Sequence, residues 1–513
     1  MPKQSFLKGT VILIVAGLIS RLLGFFNRII MARLMGEEGI GLYNMAIPTL
    51  FLVYTLSQVG LPIAISKRIA EANAQNDQHK IKKILIVSLS ITGILSFMFV
   101  GLLIFISPFI AQHLLTDQRT LYPLLAMTPM IPITSFASVL RGYFQGFQNM
   151  KPQSYAQVLE QIVRLGTLTF FVKLLLPYGL EYATVGAMIS GTIGELISLL
   201  FLLSYFKSSK RPRIRNRLFL SIKNCKETAQ SLFSIAIPST GSRLISSLSN
   251  FLEPILVAQS LAYAGFSSIA ATKQYGLLTG YAIPLLLFPM FITHALGVAL
   301  IPNISEAEAK RQHHTVHYRI DQAIRISFAS GAIATIVLIL FPGPILNFMY
   351  NNTQASYITQ FMAPFYLFAY VQFPLNASLQ ALDFAKVAMW NTLIATFVKY
   401  TILVVLTSQP SLGIFGTVLA LAVTSILTTC LHYSSLRKLI NYRLNFLTIW
   451  KMIGLLSITY LTAKGLIRWI PSYQTDLGHL LILLTILSCL YLCYLFILRI
   501  ITLSELKPLF RKR

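Results

Sequence analysis

Seven charged side chains interrupt stretches that are otherwise apolar: Arg21, Arg28, Glu160, Arg164, Glu195, Arg243 and Glu253. Any chemistry this chain performs starts with them. A guanidinium donates in a planar, two-pronged fork that matches phosphate oxygens better than a hydrated ammonium does. Arg21, Arg28, Arg164 and Arg243 are therefore candidate cations for an anionic ligand. A carboxylate withdrawn from water is driven toward its protonated form, and it can carry a proton or ligate Na+. Glu253, Glu160 and Glu195 are the candidates for that role, and a coupling proton or Na+ is the only small cofactor the reading leaves room for. Structural readings stand beside these. Glu160 and Arg164 are spaced i, i+4 and can pair on one helix face. Arg21 and Arg243 can serve as structural ion pairs or snorkel to a nearby interface. Glu253 has no cation on its own segment nearer than Arg243, almost three turns away by helical geometry.

Other reactive residue types carry no site. His313, His314 and His317 share a face at helical spacing but sit among Lys310, Arg311 and Arg319 with no thiolate, so they read as a basic solvated connection. Asp383 falls at the end of an apolar run, as an interfacial residue does. Cys225, Cys430, Cys489 and Cys493 form no metal pattern. There is no phosphate-cradling glycine loop, no triad spacing and no break between apolar runs long enough for a soluble catalytic domain. The chain reads as a non-enzyme.

The elements that must position these charges are membrane helices. Of 513 residues 55% are hydrophobic and only 11% charged, against about 25% charged in a soluble domain. Apolar runs of roughly twenty residues, long enough to cross about 30 Å of hydrocarbon, recur along the chain. The expected fold is an all-α polytopic bundle with helices near 8–32, 40–66, 84–112, 121–146, 153–176, 183–206, 230–260, 275–303, 322–350, 357–382, 388–407, 413–436, 447–469 and 478–501. The net charge of +26 gathers in the breaks between runs, which is the pattern of membrane topology and anionic headgroup contact and excludes nucleic acid as a partner. Basic residues in alternate breaks (Lys67, Arg68, Lys80, Lys82 and Lys83; Lys207 to Lys226; Lys310 and Arg311; Arg437 and Lys438; the tail from Lys507 to Arg513) place both termini in the cytoplasm. The start of the chain reads as a retained first helix, because Arg21 and Arg28 follow its apolar run and no cleavage site closes it.

Short matches recur at a spacing of about 235 residues, the mark of a duplicated unit. Met127-Thr128-Pro129 returns as Met362-Ala363-Pro364, Ala46-Ile47-Pro48 as Ala282-Ile283-Pro284, and Gly179 before Val185-Gly186 as Gly413 before Gly416. Ser20-Arg21-Leu22 returns as Ser242-Arg243-Leu244 at a different spacing, 222 residues. The expected organisation is a six-helix lobe over 1–206, a basic linker over 207–229, a second six-helix lobe over 230–436, and two additional helices with a basic tail over 437–513. Prolines within the runs (Pro48, Pro62, Pro129, Pro132, Pro284, Pro289 and Pro374) predict bent helices, either as packing kinks or as walls of a central cavity. With Arg21 and Arg243 at matching places, the repeat would aim two guanidinium groups at one interface, which suits an anionic substrate. Exposing all seven charges to lipid, at roughly 2.5–3.5 kcal/mol each, would cost on the order of 20 kcal/mol.

Three stretches carry a family resemblance. Lys8-Gly9-Thr10, Ser20-Arg21-Leu22-Leu23-Gly24-Phe25 and Ala32-Arg33-Leu34-Met35-Gly36 resemble the first helix of the multidrug/oligosaccharidyl-lipid/polysaccharide exporter superfamily. Arg141 to Met150, with Glu160-Gln161 and Arg164, is similar to the fourth-to-fifth helix connection of its polysaccharide branch. Glu253-Pro254, Ala258-Gln259-Ser260-Leu261 and Ala271 to Gly276 resemble sporulation-linked members of that branch. The resemblance implies two six-helix lobes about a cavity, with two further helices lining a lipid groove. It implies a flippase in the cytoplasmic membrane of a spore-forming bacterium, moving an undecaprenyl-pyrophosphate-linked precursor of the lipid II type for spore cortex synthesis by alternating access, with that lipid-linked glycan and membrane lipids as its partners. Lipid II flippases of the superfamily carry several cavity arginines. Arg21 matches one, the next falls on Asn27 with Arg28 one place along, and the second helix near Leu52 and Val53 has none. Two other functions remain open at this level: a proton- or sodium-coupled multidrug exporter of the same superfamily, and a membrane-embedded glycan polymerase.

Overall fold

The computed structural model describes residues 6–208, 225–469, 474 and 476–501. Most of the 207–229 linker and the basic tail lie outside them. Among the described residues every regular element is helical, and ten helical segments are long and apolar enough to cross a membrane. The chain packs as two compact units, Met1–Gly276 and Leu277–Arg513.

In the first unit, α1 (Phe6–Gln58) runs through the break expected near 33–40. It is interrupted only at Gly36, whose φ of 67° is left-handed and therefore suited to a residue without Cβ. The chain stops helically at Val59 and Gly60, both at positive φ, and Pro62 opens α2 (Leu61–Ala74), where its missing N–H would have had no helical partner. Asp77 caps α3 (Gln78–Phe109), its carboxylate accepting the Lys80 N–H at 2.9 Å. A π-helical turn over Ile110–Leu114 and a 3-10 turn over Gln118–Thr120 follow. The expected 121–146 helix is divided at Met127–Pro129 into α4 (Leu121–Ala126) and α5 (Met130–Gly146). Then come α6 (Lys151–Leu175), α7 (Leu180–Ser208), α8 (Cys225–Tyr263) and α9 (Ser268–Gly276). A core of Ile65 and Ile69 from α2, Ile84 and Leu85 from α3, Phe144 from α5 and Leu232 from α8 holds this unit together. Helices α8 and α9, which the sequence repeat counts as the opening of its second half, thus pack on α1, α2 and α3.

The second unit begins with a π-helical turn over Leu277–Ala282 and α10 (Ile283–Leu287). It continues through α11 (Met290–Ala309), α12 (His313–Leu340), α13 (Pro342–Tyr350), α14 (Ser356–Ala381), α15 (Ala385–Thr407), α16 (Ile414–Ile440), α17 (Phe446–Trp469) and α18 (Leu477–Ile497). The repeat is not copied in local geometry: Pro129 divides α4 from α5, whereas its counterpart Pro364 lies inside an unbroken α14. The last two helices dock on α12 through Ile336, Ala463, Leu483 and Leu487. Large apolar side chains such as Phe105, Phe397 and Trp469 are left at least three-quarters exposed, as lipid-facing positions require.

Candidate functional site

All seven candidate charges lie in the first unit, and packing sorts them into two sets. The first is a buried cluster between α5, α6 and α7. Arg164 approaches Glu160 at 3.9 Å, a loose version of the expected i, i+4 pair. Glu195 lies against Arg141 instead, at 3.1 Å, and the same guanidinium nitrogen donates to the Ser198 hydroxyl at 3.3 Å. The charges of Glu195 and Glu160 both act on Arg141. Gln161 donates to Glu160 at 3.2 Å and accepts from Asn27 of α1 at 3.5 Å. The helices approach closely enough that a Cβ on Gly191 would lie 2.6 Å from a guanidinium nitrogen of Arg164. Glycine there is what lets an arginine fit between α6 and α7.

The second set, Arg21, Arg28, Arg243 and Glu253, lies outside that cluster. Arg21 and Arg28 are exposed on α1 and, seven residues apart, fall within about 20° of one helical stripe. Among the described residues neither has an ion-pair partner. Asn27, by contrast, is 4% exposed and donates to Gln161, so a buried amide stands where the resemblance implied an arginine. Arg243, exposed on α8, opens into a cavity of about 410 Å³ lined also by Tyr54, Thr55, Gln58, Gly60, Thr240, Ser246 and Ser247. Thr55 and Ser247 share a hydrogen bond of 2.8 Å across it. Glu253 is half-buried on α8 and engaged by neighbours.

Two features escaped sequence reasoning. Arg141 stands in the Arg141–Met150 motif outside the seven intramembrane charges, and the signal for it is Glu195, which has no same-helix cation in reach and needs a partner. The other is a polar network beside the interruption of α1 at Gly36. Glu37 pairs with Lys273 of α9 at 3.0 Å, Glu38 with Arg119 at 2.5 Å, and Asp117 with Arg119 at 2.8 Å. Thr272 donates to Asp117 at 2.8 Å. Burial pushes the Asp117 carboxyl up, but hydrogen bonds from Arg119 and Thr272 and the Arg119 charge outweigh it and hold the group below the usual carboxylate range. Backbones touch here: a Cβ on Gly276 would lie 1.8 Å from the Glu37 carbonyl oxygen, and one on Gly41 2.2 Å from that of Thr272.

The histidines at the start of α12 do not converge. His317 bonds the Ile440 carbonyl at 3.0 Å, while His313 lies 3.7 Å from Glu308. Among the described residues no group of three or more His, Cys, Asp or Glu is placed to hold a metal ion.

Residues 6–308 match the family described as Polysaccharide biosynthesis protein, more than half of the chain. The chain belongs to that polysaccharide biosynthesis protein family. Residues 278–407 also match the MatE family. Over 99% of its length the chain is 46% identical to stage V sporulation protein B of Bacillus subtilis (strain 168), covering 98% of that protein. It is 27% identical to the lipid II flippase MurJ of the same organism over 68% of this chain and 66% of that one. A solved lipid II flippase MurJ in an inward closed conformation superposes with a TM-score of 0.67 at 17% identity, covering 97% of this chain and 99% of that one. The expected polytopic all-α fold and the superfamily resemblance are both borne out, and the chain is a multi-pass membrane protein.

Proposed function

We propose that this polysaccharide biosynthesis family member flips a lipid-linked anionic glycan precursor across the cytoplasmic membrane, with an undecaprenyl-pyrophosphate-linked peptidoglycan precursor of the lipid II type as cargo and spore cortex synthesis as its setting. The observation that carries the reading is the Arg243 cavity. Its lining holds one guanidinium, five hydroxyls and an amide, and no carboxylate. A pyrophosphate meets a charge-assisted donor there, and the hydroxyls and amide suit a sugar. Arg21 and Arg28, unpaired on one stripe of α1, add cations that lipid would not tolerate at depth. Arg164 is committed to Glu160, which makes it a positioning residue more than a ligand.

The wider reading is fourteen helices as six plus six plus two, both termini cytoplasmic, and alternating access by movement of the halves. Similarity to stage V sporulation protein B and to the lipid II flippase MurJ supports it. Glu160, Glu195 and Glu253 are the candidates for coupling a proton or Na+. A multidrug exporter of organic cations is disfavoured, because the carboxylates of the buried cluster are held by Arg164 and Arg141 and the cavity presents a cation.

The test is a flipping assay with labelled lipid II in proteoliposomes, run with and without proton and Na+ gradients. Arg243→Ala should slow flipping roughly ten- to hundredfold, the equivalent of a charge-assisted hydrogen bond of about 1.5–3 kcal/mol, with partial recovery in Arg243→Lys. Wild-type flipping in Arg243→Ala would overturn the assignment.

A further inference from the structure

A second cavity of about 410 Å³ lies where α2, α3 and α8 leave the apolar core, away from the Arg243 cavity. Its wall carries Arg68, His79, Lys80 and Lys83, together with Asp77 and Glu227, over a floor of Ile84 and Leu232. The two kinds of charge are not equally available. Arg68 is held by Glu71 at 2.9 Å and by the Ser231 carbonyl at 3.4 and 3.3 Å, and Asp77 caps α3. Lys80, Lys83 and Glu227 have no ion-pair partner among the described residues, although all three face the same space. Ile84 and Leu232 are 2% and 0% exposed and belong to the hydrophobic core of the unit.

We propose that this cavity is a binding site for the phosphoethanolamine headgroup of a membrane phospholipid. Charge complementarity selects the occupant. Two free ammonium groups and an imidazole suit a phosphodiester, and the free Glu227 carboxylate suits an ammonium a few ångströms away on the same ligand. A purely anionic headgroup leaves Glu227 repelled, and a quaternary ammonium cannot donate a hydrogen bond to it. The position also fits. Lys80 and Lys83 lie in the first two turns of α3, one of the spans apolar enough to cross the bilayer, so the cavity sits at headgroup depth with apolar side chains below it. Arg68, bonded to Glu71 on its own helix and to the Ser231 carbonyl on α8, ties α2 to α8 beside the ligand. The site is independent of the flipping cavity, and it assigns a resident lipid rather than a cargo.

The experiment is native mass spectrometry of the full-length detergent-solubilised protein, titrated separately with phosphatidylethanolamine, phosphatidylglycerol and phosphatidylcholine of identical acyl chains, and with inorganic phosphate as competitor. Phosphatidylethanolamine should bind most tightly. Lys80→Gln with Lys83→Gln should weaken it about thirtyfold, from roughly fivefold for each interfacial cation. Glu227→Gln should lower the preference for phosphatidylethanolamine over phosphatidylglycerol about fivefold while leaving phosphatidylglycerol binding intact or improved, an outcome that misfolding cannot produce. Equal binding of all three lipids, or a preference unmoved by Glu227→Gln, would overturn the proposal. Displacement of the lipid by millimolar phosphate would also overturn it, since the site would then take a free anion.

Discussion

The pair between Arg141 and Glu195 can be tested by a double-mutant cycle. The two groups are 3.1 Å apart with side chains 21% and 10% exposed. At an effective dielectric of about 20, opposite unit charges about 3 Å apart attract by roughly 5 kcal/mol, and removing one partner of a buried pair costs about 3–5 kcal/mol because the other is stranded. The surroundings make the two single variants unequal. Glu195→Gln leaves Arg141 under the influence of Glu160 and bonded to Ser198. Arg141→Gln instead leaves two carboxylates near one another, with Arg164, 3.9 Å from Glu160, as their one ion-pair partner among the described residues. Arg141→Gln should therefore be the more destabilising by about 1 kcal/mol or more, and the double variant should be more stable than the sum of the singles by at least about 2 kcal/mol. Loss of helical circular dichroism in detergent, driven by heat or SDS, gives the four stabilities. Additive effects to within about 0.5 kcal/mol, or Glu195→Gln as the worse variant, would refute the assignment of these charges as one cluster.

Gly276→Ala sets a Cβ 1.8 Å from a backbone oxygen and should destabilise by at least about 1–3 kcal/mol, whereas Gly454→Ala, with nothing within 4 Å, should be neutral or slightly stabilising by helix propensity; thermal melts of both check this. Asp117, between the spans, has a lowered carboxyl pKa in the folded state, so its contribution is fully present above the unfolded value of about 3.9 and is lost as pH falls through the folded value. Asp117→Asn should then be less stable than wild type at pH 7, with the gap closing only below about pH 4, as read from melting temperatures across pH. Arg28→Leu separates water from lipid around the α1 stripe. If Arg28 faced hydrocarbon the change would stabilise by roughly 2.5–3.5 kcal/mol, and facing an aqueous cavity it should give no such gain in the same unfolding assay.

What was legible in the sequence is local. Glu160 and Arg164 are four residues apart on one helix, and that spacing alone predicted their pairing. Hydropathy likewise gave α3, α7, α15, α16 and α18 to within a few residues at most boundaries, because each is a long apolar run with a polar end. The 33–40 break misled because Gly36-Glu37-Glu38-Gly39 looks like a turn, yet a single left-handed glycine lets the helix continue, and the two glutamates find Lys273 and Arg119 from distant segments. No periodicity in the sequence encodes those partners. Arg141 and Glu195 are 54 residues apart, and only the packing of α5 against α7 brings them together.

The same limit separates the intramembrane charges into two kinds. Sequence can state that a charge inside an apolar run must be neutralised or hydrated, because lipid offers neither. It cannot state which of the two occurs. Tertiary packing decides that for Glu160, Arg164 and Glu195, whose partners remove them from contact with a mobile anion and leave them as groups that could respond to its arrival. Arg21, Arg28 and Arg243 are left exposed without a carboxylate at hydrogen-bonding distance among the described residues, so their compensation has to come from water or from a ligand. The Arg243 cavity and the Arg141–Glu195 pair belong to one unit, so an anion held at the first would sit in the same helical bundle as the buried cluster. Binding and coupling would then be neighbouring tasks of one helical unit, performed by charges that differ chiefly in whether the fold supplied them with a partner.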